Sequence, residues 1–195
     1  MKTDIILAGV GGQGILSIAA IIGAAAVRQN LFIKQAEVHG MSQRGGAVQS
    51  NLRLSDEPIA SDLIPLGSAD LILSMEPMES LRYLAYLSKT GCIVTSTTPL
   101  INIPHYPETE NILQEIRKQP HYVAIDADKI ATDSGMPRAS NMVMLGAASS
   151  FLKLPSEILE ASIAQYFEKK DSPVIDSNIK AFQAGQDFAR KAINK

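Results

Sequence analysis

The sequence predicts an α/β fold of Rossmann-like type, with a mostly parallel sheet, at least one antiparallel strand and a helical C-terminal third. Three observations predict it. Short apolar runs alternate with helical patterns over the first two thirds of the chain, as in sheets whose strands are buried on both faces. A glycine-rich turn follows the first apolar run, and the last third of the chain shows helical patterns only.

The N-terminal elements form a β-α-β pattern. Residues 4–9 are a short apolar run bounded by glycine, which predicts a buried strand. Residues 15–29 are rich in alanine and isoleucine, and their thin polar face predicts a helix that is buried on most sides. A second strand is predicted at 31–38. We therefore expect these three elements to be the first half of a doubly wound sheet.

The third strand follows the second without a helix between them. A polar, glycine-containing loop at 39–46 leads into residues 47–54, which alternate polar and apolar side chains like a strand with one exposed face. Parallel neighbours need a long crossover connection, whereas antiparallel neighbours need only a short loop. At least one strand pair is therefore predicted to be antiparallel.

The rest of the chain continues the α/β alternation and then becomes helical. A fourth strand is predicted at 69–75, and Pro77 suits the first position of a following helix of about three turns. Gly91 is expected to end that helix before a fifth strand at 92–96. The other predicted elements are a proline-containing surface loop at 97–107, a helix near 108–118, a strand at 122–125, a short helix after Asp126, and helices at 140–153, 155–168 and 177–192. In the helix at 155–168, one apolar face holds Ile158, Leu159, Ile163, Tyr166 and Phe167.

The composition indicates one globular domain spanning residues 1–195, without a repeat or a linker. Of the 195 residues, 46% are hydrophobic and 19% are charged, which is ordinary for a packed domain. The net charge of −2 gives no footprint for nucleic acid or for an anionic membrane surface. The longest apolar stretch, residues 15–27, is too short to span a bilayer, and the N-terminus lacks the pattern of a signal peptide. A cytoplasmic location is expected.

The turn after the first strand has the spacing G-x-G-x-x-G, with glycines at positions 9, 11 and 14. Between a strand and a helix, such glycines allow a tight turn and a close approach of phosphate to the helix N-terminus. Glu37 follows near the end of the second predicted strand, where a carboxylate holds a ribose hydroxyl in NAD enzymes. The alternative is that the glycines only make a tight crossover. Hydride transfer is disfavoured because the chain shows neither a second substrate domain nor a proton relay.

A second glycine-containing motif, Glu-Val-His-Gly-Met-Ser-Gln-Arg-Gly-Gly at residues 37–46, is more informative. Arg44 stands beside paired glycines, so a cation next to a flexible backbone could clamp a phosphate, a carboxylate or a loop of a partner. His39 could titrate near neutrality, but a lone loop histidine is more often structural or interfacial than catalytic.

These two motifs together resemble the gamma-type subunit, or domain, of the 2-oxoacid:ferredoxin oxidoreductases. The first is Gly-Val-Gly-Gly-Gln-Gly at residues 9–14. The sequence of the second motif is most similar to that of the indolepyruvate branch of the family. The resemblance continues in Ser-Asn-Met-Val-Met-Leu-Gly at 140–146 and in Asn-Ile-Lys-Ala-Phe-Gln-Ala-Gly at 178–185. It therefore covers nearly the whole chain.

The resemblance implies a specific chemistry. Enzymes of this family decarboxylate a 2-oxoacid on thiamine pyrophosphate, pass electrons through iron–sulfur clusters to ferredoxin, and form an acyl-CoA. In the indolepyruvate branch, thiamine pyrophosphate, magnesium and the clusters are expected on a larger alpha subunit. This chain would then bind no cofactor by itself, would be inactive alone, and would complete the active site of the complex. The isolated chain is also expected to self-associate, or to bury a large face against its partner, because an exposed apolar surface often marks a partner site.

The resemblance assigns positions that bind a cofactor or face the partner's cleft, but no catalytic residue. Asn141 is one of them, although simple helix-start chemistry explains it equally well. The positions are Gly9, Gly11, Gly12, Gln13, Gly14, His39, Gln43, Arg44, Gly45, Gly46 and Asn141. Two other functions remain open: a free-standing nucleotide-dependent Rossmann oxidoreductase, and a module that binds CoA or a nucleotide without chemistry.

Cys92 and the pair Asp126 and Asp128 are the remaining candidates for metal or redox chemistry, and the sequence favours neither. Cys92 lies in an apolar run and is expected to be a buried strand residue. One cysteine cannot hold an iron–sulfur cluster alone. Two carboxylates without a third ligand are typical of a solvated turn, so no metal site is predicted.

Overall fold

The computed structural model describes residues 1–39 and 45–193, and of His39 only the backbone. Within these residues, six strands form one mixed sheet with helices on both faces. The elements are, in chain order, β1 (Lys2–Val10), α1 (Ile15–Arg28), β2 (Phe32–His39), β3 (Ala47–Ser55), β4 (Ala69–Ser74), α2 (Pro77–Arg82), β5 (Leu87–Ser96), α3 (Thr109–Arg117), β6 (Tyr122–Ile125), α4 (Ala127–Asp133), α5 (Ser140–Ala148), α6 (Ser156–Tyr166) and α7 (Ser172–Ile193). The predicted Rossmann-like fold class is confirmed.

The strand order is β2-β3-β1-β4-β5-β6, with β1, β4, β5 and β6 parallel. The antiparallel prediction is confirmed, since β3 runs opposite to both of its neighbours. The prediction that β1, α1 and β2 form the first half of a doubly wound sheet is wrong in one respect. β1 and β2 run in the same direction, but β3 lies between them. The short connection makes β2 and β3 an antiparallel hairpin, and β3, not β2, is the strand of that hairpin that pairs with β1.

The two faces of the sheet bury separate apolar clusters. On the first face, α1, α4, α5, α6 and α7 cover side chains such as Ile5, Leu7 and Leu52, with Phe182 of α7 fully buried. On the second face, α2, α3 and the segment at 56–68 cover Ile6, Ala8 and others. Strands covered on both faces explain why their sequences are continuous apolar runs.

A buried ion pair anchors the segment at 56–68 over the second face. Asp4 is fully buried, and the Arg53 guanidinium donates to both of its carboxylate oxygens, over 2.8 and 3.1 Å. The same guanidinium donates to the carbonyls of Ser61 and Leu63, each over 3.0 Å. Because charged hydrogen bonds are among the stronger ones, this network holds the segment against β3.

Helices α5 and α7 approach each other at glycine. A Cβ atom on Gly146 would lie within 3 Å of the backbone of Phe182, and one on Gly185 would lie within 3 Å of the backbone of Val143. Both glycines belong to the segments at 140–146 and 178–185 that carry the family resemblance. In these two segments the glycines therefore serve helix packing.

Several predicted boundaries are wrong. The helix predicted between Pro77 and Gly91 ends at Arg82, and a 3-10 turn at Leu84–Tyr86 leads into β5. Gly91 instead lies inside β5. Glycine fits this position because a Cβ there would be only 2.7 Å from the Ala69 carbonyl oxygen of the neighbouring strand. Helix α7 begins five residues before its predicted start, at Ser172, with Pro173 in its first turn.

Two predicted helices also differ in detail. Helix α5 ends at Ala148 and continues as a 3-10 turn at Ser149–Phe151. On α6, Leu159 and Ile163 are buried as predicted, but Tyr166 is 46% exposed. Its hydroxyl hydrogen-bonds the Ser17 hydroxyl over 2.9 Å, so the polar end of the ring stays at the surface. In the described part of the chain, no helix is long and apolar enough to cross a membrane.

Candidate functional site

The carboxyl edge of the sheet gathers most of the predicted site residues. Loops that leave β1, β4, β5 and β6 lie at one edge because these strands are parallel, and ligands of open α/β sheets bind at that edge. β3 is antiparallel, so its start at Ala47 also lies there. The glycine turn at 11–14 and the residues Gly45 and Gly46 therefore meet.

The glycine turn is held by the side chain of Gln13. The Val10 N–H donates to Gln13 Oε1 over 2.8 Å, and Gln13 Nε2 donates to the Met75 carbonyl over 3.3 Å. A Cβ on Gly9 would lie 2.8 Å from the same Oε1 atom. Gln13 thus holds the turn against the end of β4, and both polar atoms of its side-chain amide make hydrogen bonds within the protein.

Two glycines of the turn have left-handed backbone for different reasons. Gly14 has a φ of +82°, and a Cβ there would lie 2.5 Å from Nδ2 of Asn141. Gly12 has a φ of +103°, is exposed, and a Cβ there would meet no atom within 4 Å. Gly14 is therefore closed in by α5, whereas the backbone of Gly12 is open to an incoming ligand. The structure brings Asn141 to the turn, and its role there stays a prediction.

Helix α1 starts at the turn without a side-chain cap. Its N-cap residue is Gly14, which offers no side-chain hydrogen bond, and the first helical turn contains no acidic residue. The first N–H groups of a helix have no partner within the helix and carry partial positive charge. The arrangement can accept an anion such as a phosphate.

The second motif lies against the glycine turn at its described end. Gly11 N–H donates to the Gly46 carbonyl over 2.9 Å, and Asn102 Nδ2 donates to the Gly45 carbonyl over 2.7 Å. The glycine turn, the residues Gly45 and Gly46, and the loop at 97–107 therefore form one surface. Gln43 and Arg44 lie outside the described residues, and His39 is placed only as the last residue of β2.

A buried carboxylate at this edge was not predicted as a site residue. Glu76 is 1% exposed, and its Oε2 accepts a hydrogen bond from the Glu79 N–H over 2.9 Å at the start of α2. The Tyr106 hydroxyl donates to Glu76 Oε1. Burial, with the adjacent Glu76 carboxylate, raises the pKa of Tyr106 well above its usual range. The helix-start signal of Glu76-Pro77 was readable from sequence, but its contact with the loop at 97–107 was not.

Two cavities of the described chain lie away from the glycine turn. A cleft of about 860 Å³ opens at the amino edge of the sheet, lined by residues that include Asp70, His121 and Lys153. A smaller one of about 270 Å³ lies among α5, α6 and α7. Neither is lined by the turn, and Gly12 and Gly45 are exposed. From this chain, the carboxyl edge offers an open surface to a ligand.

The candidates for metal or redox chemistry have structural explanations. Asp126 caps α4, with its Oδ1 accepting from the Lys129 N–H over 3.0 Å. Within the described residues, no three His, Cys, Asp or Glu side chains are grouped to hold a metal ion. Cys92 is buried, as predicted, and burial raises the pKa of its thiol to about 12.

The raised thiol pKa predicts how stability depends on pH. Above the ordinary pKa of 9.0, the unfolded chain loses the Cys92 proton while the folded chain keeps it until about pH 12. The free energy of unfolding should therefore fall as pH rises through this window, by up to about 1.4 kcal/mol per pH unit from this group. Urea unfolding of wild type and Cys92→Ala between pH 8 and 10 measures it. An equal slope in both proteins would contradict the assignment.

Comparison with known proteins gives one consistent family. The model of the pyruvate ferredoxin/flavodoxin oxidoreductase family matches residues 4–188. The indolepyruvate oxidoreductase subunit IorB of Archaeoglobus fulgidus is 35% identical, over 97% of this chain and 96% of that protein. The 2-oxoglutarate synthase subunit KorC of Methanothermobacter marburgensis is 28% identical, over 96% of this chain and 97% of that protein. These relatives are subunits, and the chain matches them over nearly their full length.

Solved structures share the fold. The gamma subunit of a keto/oxoacid ferredoxin oxidoreductase from Geobacter sulfurreducens superposes with a TM-score of 0.68 at 24% identity, over 97% of this chain and 99% of that one. The 2-oxoglutarate:ferredoxin oxidoreductase of Magnetococcus marinus, solved with 2-oxoglutarate, coenzyme A and succinyl-CoA, superposes with a TM-score of 0.79 at 23% identity. The superposition covers 97% of this chain and 31% of that longer chain.

Proposed function

We infer the function from the premise that this chain belongs to the pyruvate ferredoxin/flavodoxin oxidoreductase family. It is one subunit of a 2-oxoacid:ferredoxin oxidoreductase, an enzyme that works as a complex. The full-length match to relatives that are themselves subunits carries this conclusion. We propose that the 195 residues act as one gamma-type domain of that complex.

The proposed substrate class is indolepyruvate and related aryl pyruvates. The support is the relatives named for indolepyruvate, which are 34–36% identical, against 26–29% for those named for 2-oxoglutarate. The reaction would decarboxylate the 2-oxoacid, deliver its electrons to ferredoxin and form an acyl-CoA.

We propose that thiamine pyrophosphate, magnesium and the iron–sulfur clusters lie on a larger alpha subunit. Ferredoxin-type clusters are held by four cysteine thiolates, and this chain has a single cysteine, which is buried. When bound there, thiamine pyrophosphate would supply the carbanion chemistry of decarboxylation. This chain would border the reacting groups with its carboxyl edge.

The glycine turn is proposed to hold an anionic part of a ligand, and coenzyme A is the ligand that the reaction supplies. Its diphosphate suits the uncapped start of α1 and the exposed backbone of Gly12. Gly45 and Gly46 lie next to the turn through the Gly11 to Gly46 hydrogen bond. Arg44 directly precedes Gly45 in the sequence, and we propose that it binds the same anion. The turn would thereby bind and orient coenzyme A, and no group of this chain is proposed to react.

The test is co-expression with a candidate alpha subunit under anaerobic conditions. The complex should reduce a viologen dye in a reaction that needs both indolepyruvate and CoA, whereas each chain alone should not. If the alpha subunit turns over equally well without this chain, the proposed role is wrong. Turnover of NAD by the isolated chain would instead support the function of a free-standing nucleotide-dependent oxidoreductase.

Arg44→Ala is expected to weaken use of CoA by the complex. A charged hydrogen bond to phosphate is worth about 1.5–3 kcal/mol, so kcat/KM for CoA should fall by roughly ten- to a hundredfold. Steady-state kinetics with the dye measure this fall. Arg117→Ala on α3 is the matched control, because that exposed arginine pairs with Glu110 at the surface. An unfolded Arg44→Ala chain would mean that the arginine is structural.

A further inference from the structure

Strand β2 is the edge of the sheet. It pairs with β3 along one side over eight register positions, from Phe32 opposite Ser55 to His39 opposite Val48. In the part of the chain that the structure describes, no strand pairs with its other side. An eight-residue edge strand exposes backbone hydrogen-bonding groups that another strand can join.

One face of β2 carries exposed apolar side chains. Phe32, Lys34, Ala36 and Val38 share the face of the sheet that α2 and α3 cover further along. Phe32 is 48% exposed and Val38 is 57% exposed, although both lie within a strand. Two large apolar side chains at the two ends of an open edge indicate a surface that another strand covers.

The lysine of this face does not block the edge. Lysine on an edge strand ordinarily prevents pairing with another chain. Here Lys34 Nζ lies 3.5 Å from the carbonyl oxygen of Ala60, in the segment that crosses the second face. The Lys34 side chain is therefore drawn over its own chain, and the backbone edge beside it stays accessible.

We propose that β2 pairs antiparallel with β2 of a second copy of this chain, about a two-fold axis through Gln35. The two six-stranded sheets then become one continuous sheet. The axis is perpendicular to the sheet, so residues with numbers of equal parity face each other, on the same face. In this register Phe32 lies opposite Val38 of the second copy, and the same pair repeats on the other side of the axis.

The side chains of β2 select this axis over its neighbours. An axis at Lys34 would place two lysines directly opposite each other, which is unfavourable. An axis at Ala36 would place Lys34 opposite Val38 and leave Phe32 without an apolar neighbour across the strands. The axis at Gln35 places Lys34 opposite Ala36 and pairs the two glutamine amides. Because this pattern is complementary to itself, the occupant is a second copy.

Disulfide trapping tests the register. Directly opposed residues of antiparallel strands have Cα atoms about 4.5–5.5 Å apart, which suits a disulfide. Gln35→Cys should form a disulfide-linked dimer on mild oxidation, and Ala36→Cys should do so at least about tenfold more slowly, since its copies are offset by two residues. The native Cys92 is buried and does not compete. Equal trapping of the two variants would overturn the axis.

Sedimentation of the full chain tests the interface without a cysteine. Wild type should dimerise, and Val38→Lys should raise the dissociation constant by at least about tenfold, a loss of about 1.4 kcal/mol. Leu66→Lys is the matched control, because Leu66 is 68% exposed but lies outside β2. A wild-type chain that stays monomeric, or equal effects of both variants, would overturn the proposal. So would trapping of Gln35→Cys onto a different subunit in the assembled complex.

Discussion

Gly146→Ala is expected to destabilise the folded chain by more than about 3 kcal/mol. The new methyl group would overlap the backbone carbonyl of Phe182 on α7, and backbone atoms inside a packed helix pair have no free space to move into. Alanine gains only about 1 kcal/mol over glycine in helix propensity, which is too little to offset the overlap. Thermal unfolding should show a fall of roughly 6–12 °C for a chain of this size.

Gly23→Ala is the control for that result. It is also a glycine-to-alanine change inside a helix, but its new Cβ would meet only the end of the Ile33 side chain, at 3.0 Å. That side chain can shift, so the free energy of unfolding should change by less than about 1 kcal/mol. Similar losses in both variants would show that the contact between α5 and α7 does not limit stability.

The same packing affects the candidate site. Asn141 lies near the start of α5, two residues before Val143, whose backbone carbonyl closely approaches Gly185 of α7. A displacement of α5 would therefore move Asn141 away from Gly14. In the assembled complex, Gly146→Ala should lower activity together with stability. A change at the turn itself should lower activity by more than its effect on stability explains.

Local patterns predicted most elements because the physical cause was local. A short connection between two strands requires a hairpin, so the antiparallel pair followed from residues 39–46. The position of β3 between β1 and β2 did not follow, because neighbours across a sheet are chosen by the whole assembly. Gly91 shows the limit of a single residue type. Glycine ends helices, but it also admits a neighbouring carbonyl into a strand, and here the second cause applies.

The conformation of the glycine turn was predictable, because the spacing of its glycines has a local structural cause. The glycine turn followed from its position between a strand and a helix, and its backbone angles agree with that interpretation. The expectation that Asn141 faces the same cleft came from family resemblance, and its approach to Gly14 was not predicted, since no local pattern links residues so far apart. Glu76 and Tyr106 escaped prediction because a glutamate after an apolar strand usually signals only a helix start. Its burial depends on a loop that arrives 30 residues later.

Gly14→Ala is expected to raise the KM for CoA of the assembled complex by at least about tenfold, which is about 1.4 kcal/mol. Alanine at a φ of +82° costs about 1–2 kcal/mol. Its methyl group would also lie 2.5 Å from Asn141 Nδ2, so the Asn141 side chain would have to move away. Relief of that strain would rotate the turn and reorient the first N–H groups of α1, on which the proposed anion site depends.

Gly67→Ala separates the site from strain in general. Gly67 has a φ of +70° and open space around it, and it precedes β4 at the opposite edge of the sheet. Alanine there bears a similar backbone cost, so stability should fall by a similar amount, but the KM for CoA should not change. A matching rise in KM in both variants would assign the effect to lowered stability. A rise confined to Gly14→Ala, reduced in part by Asn141→Ala in the same chain, would place the ligand at the start of α1.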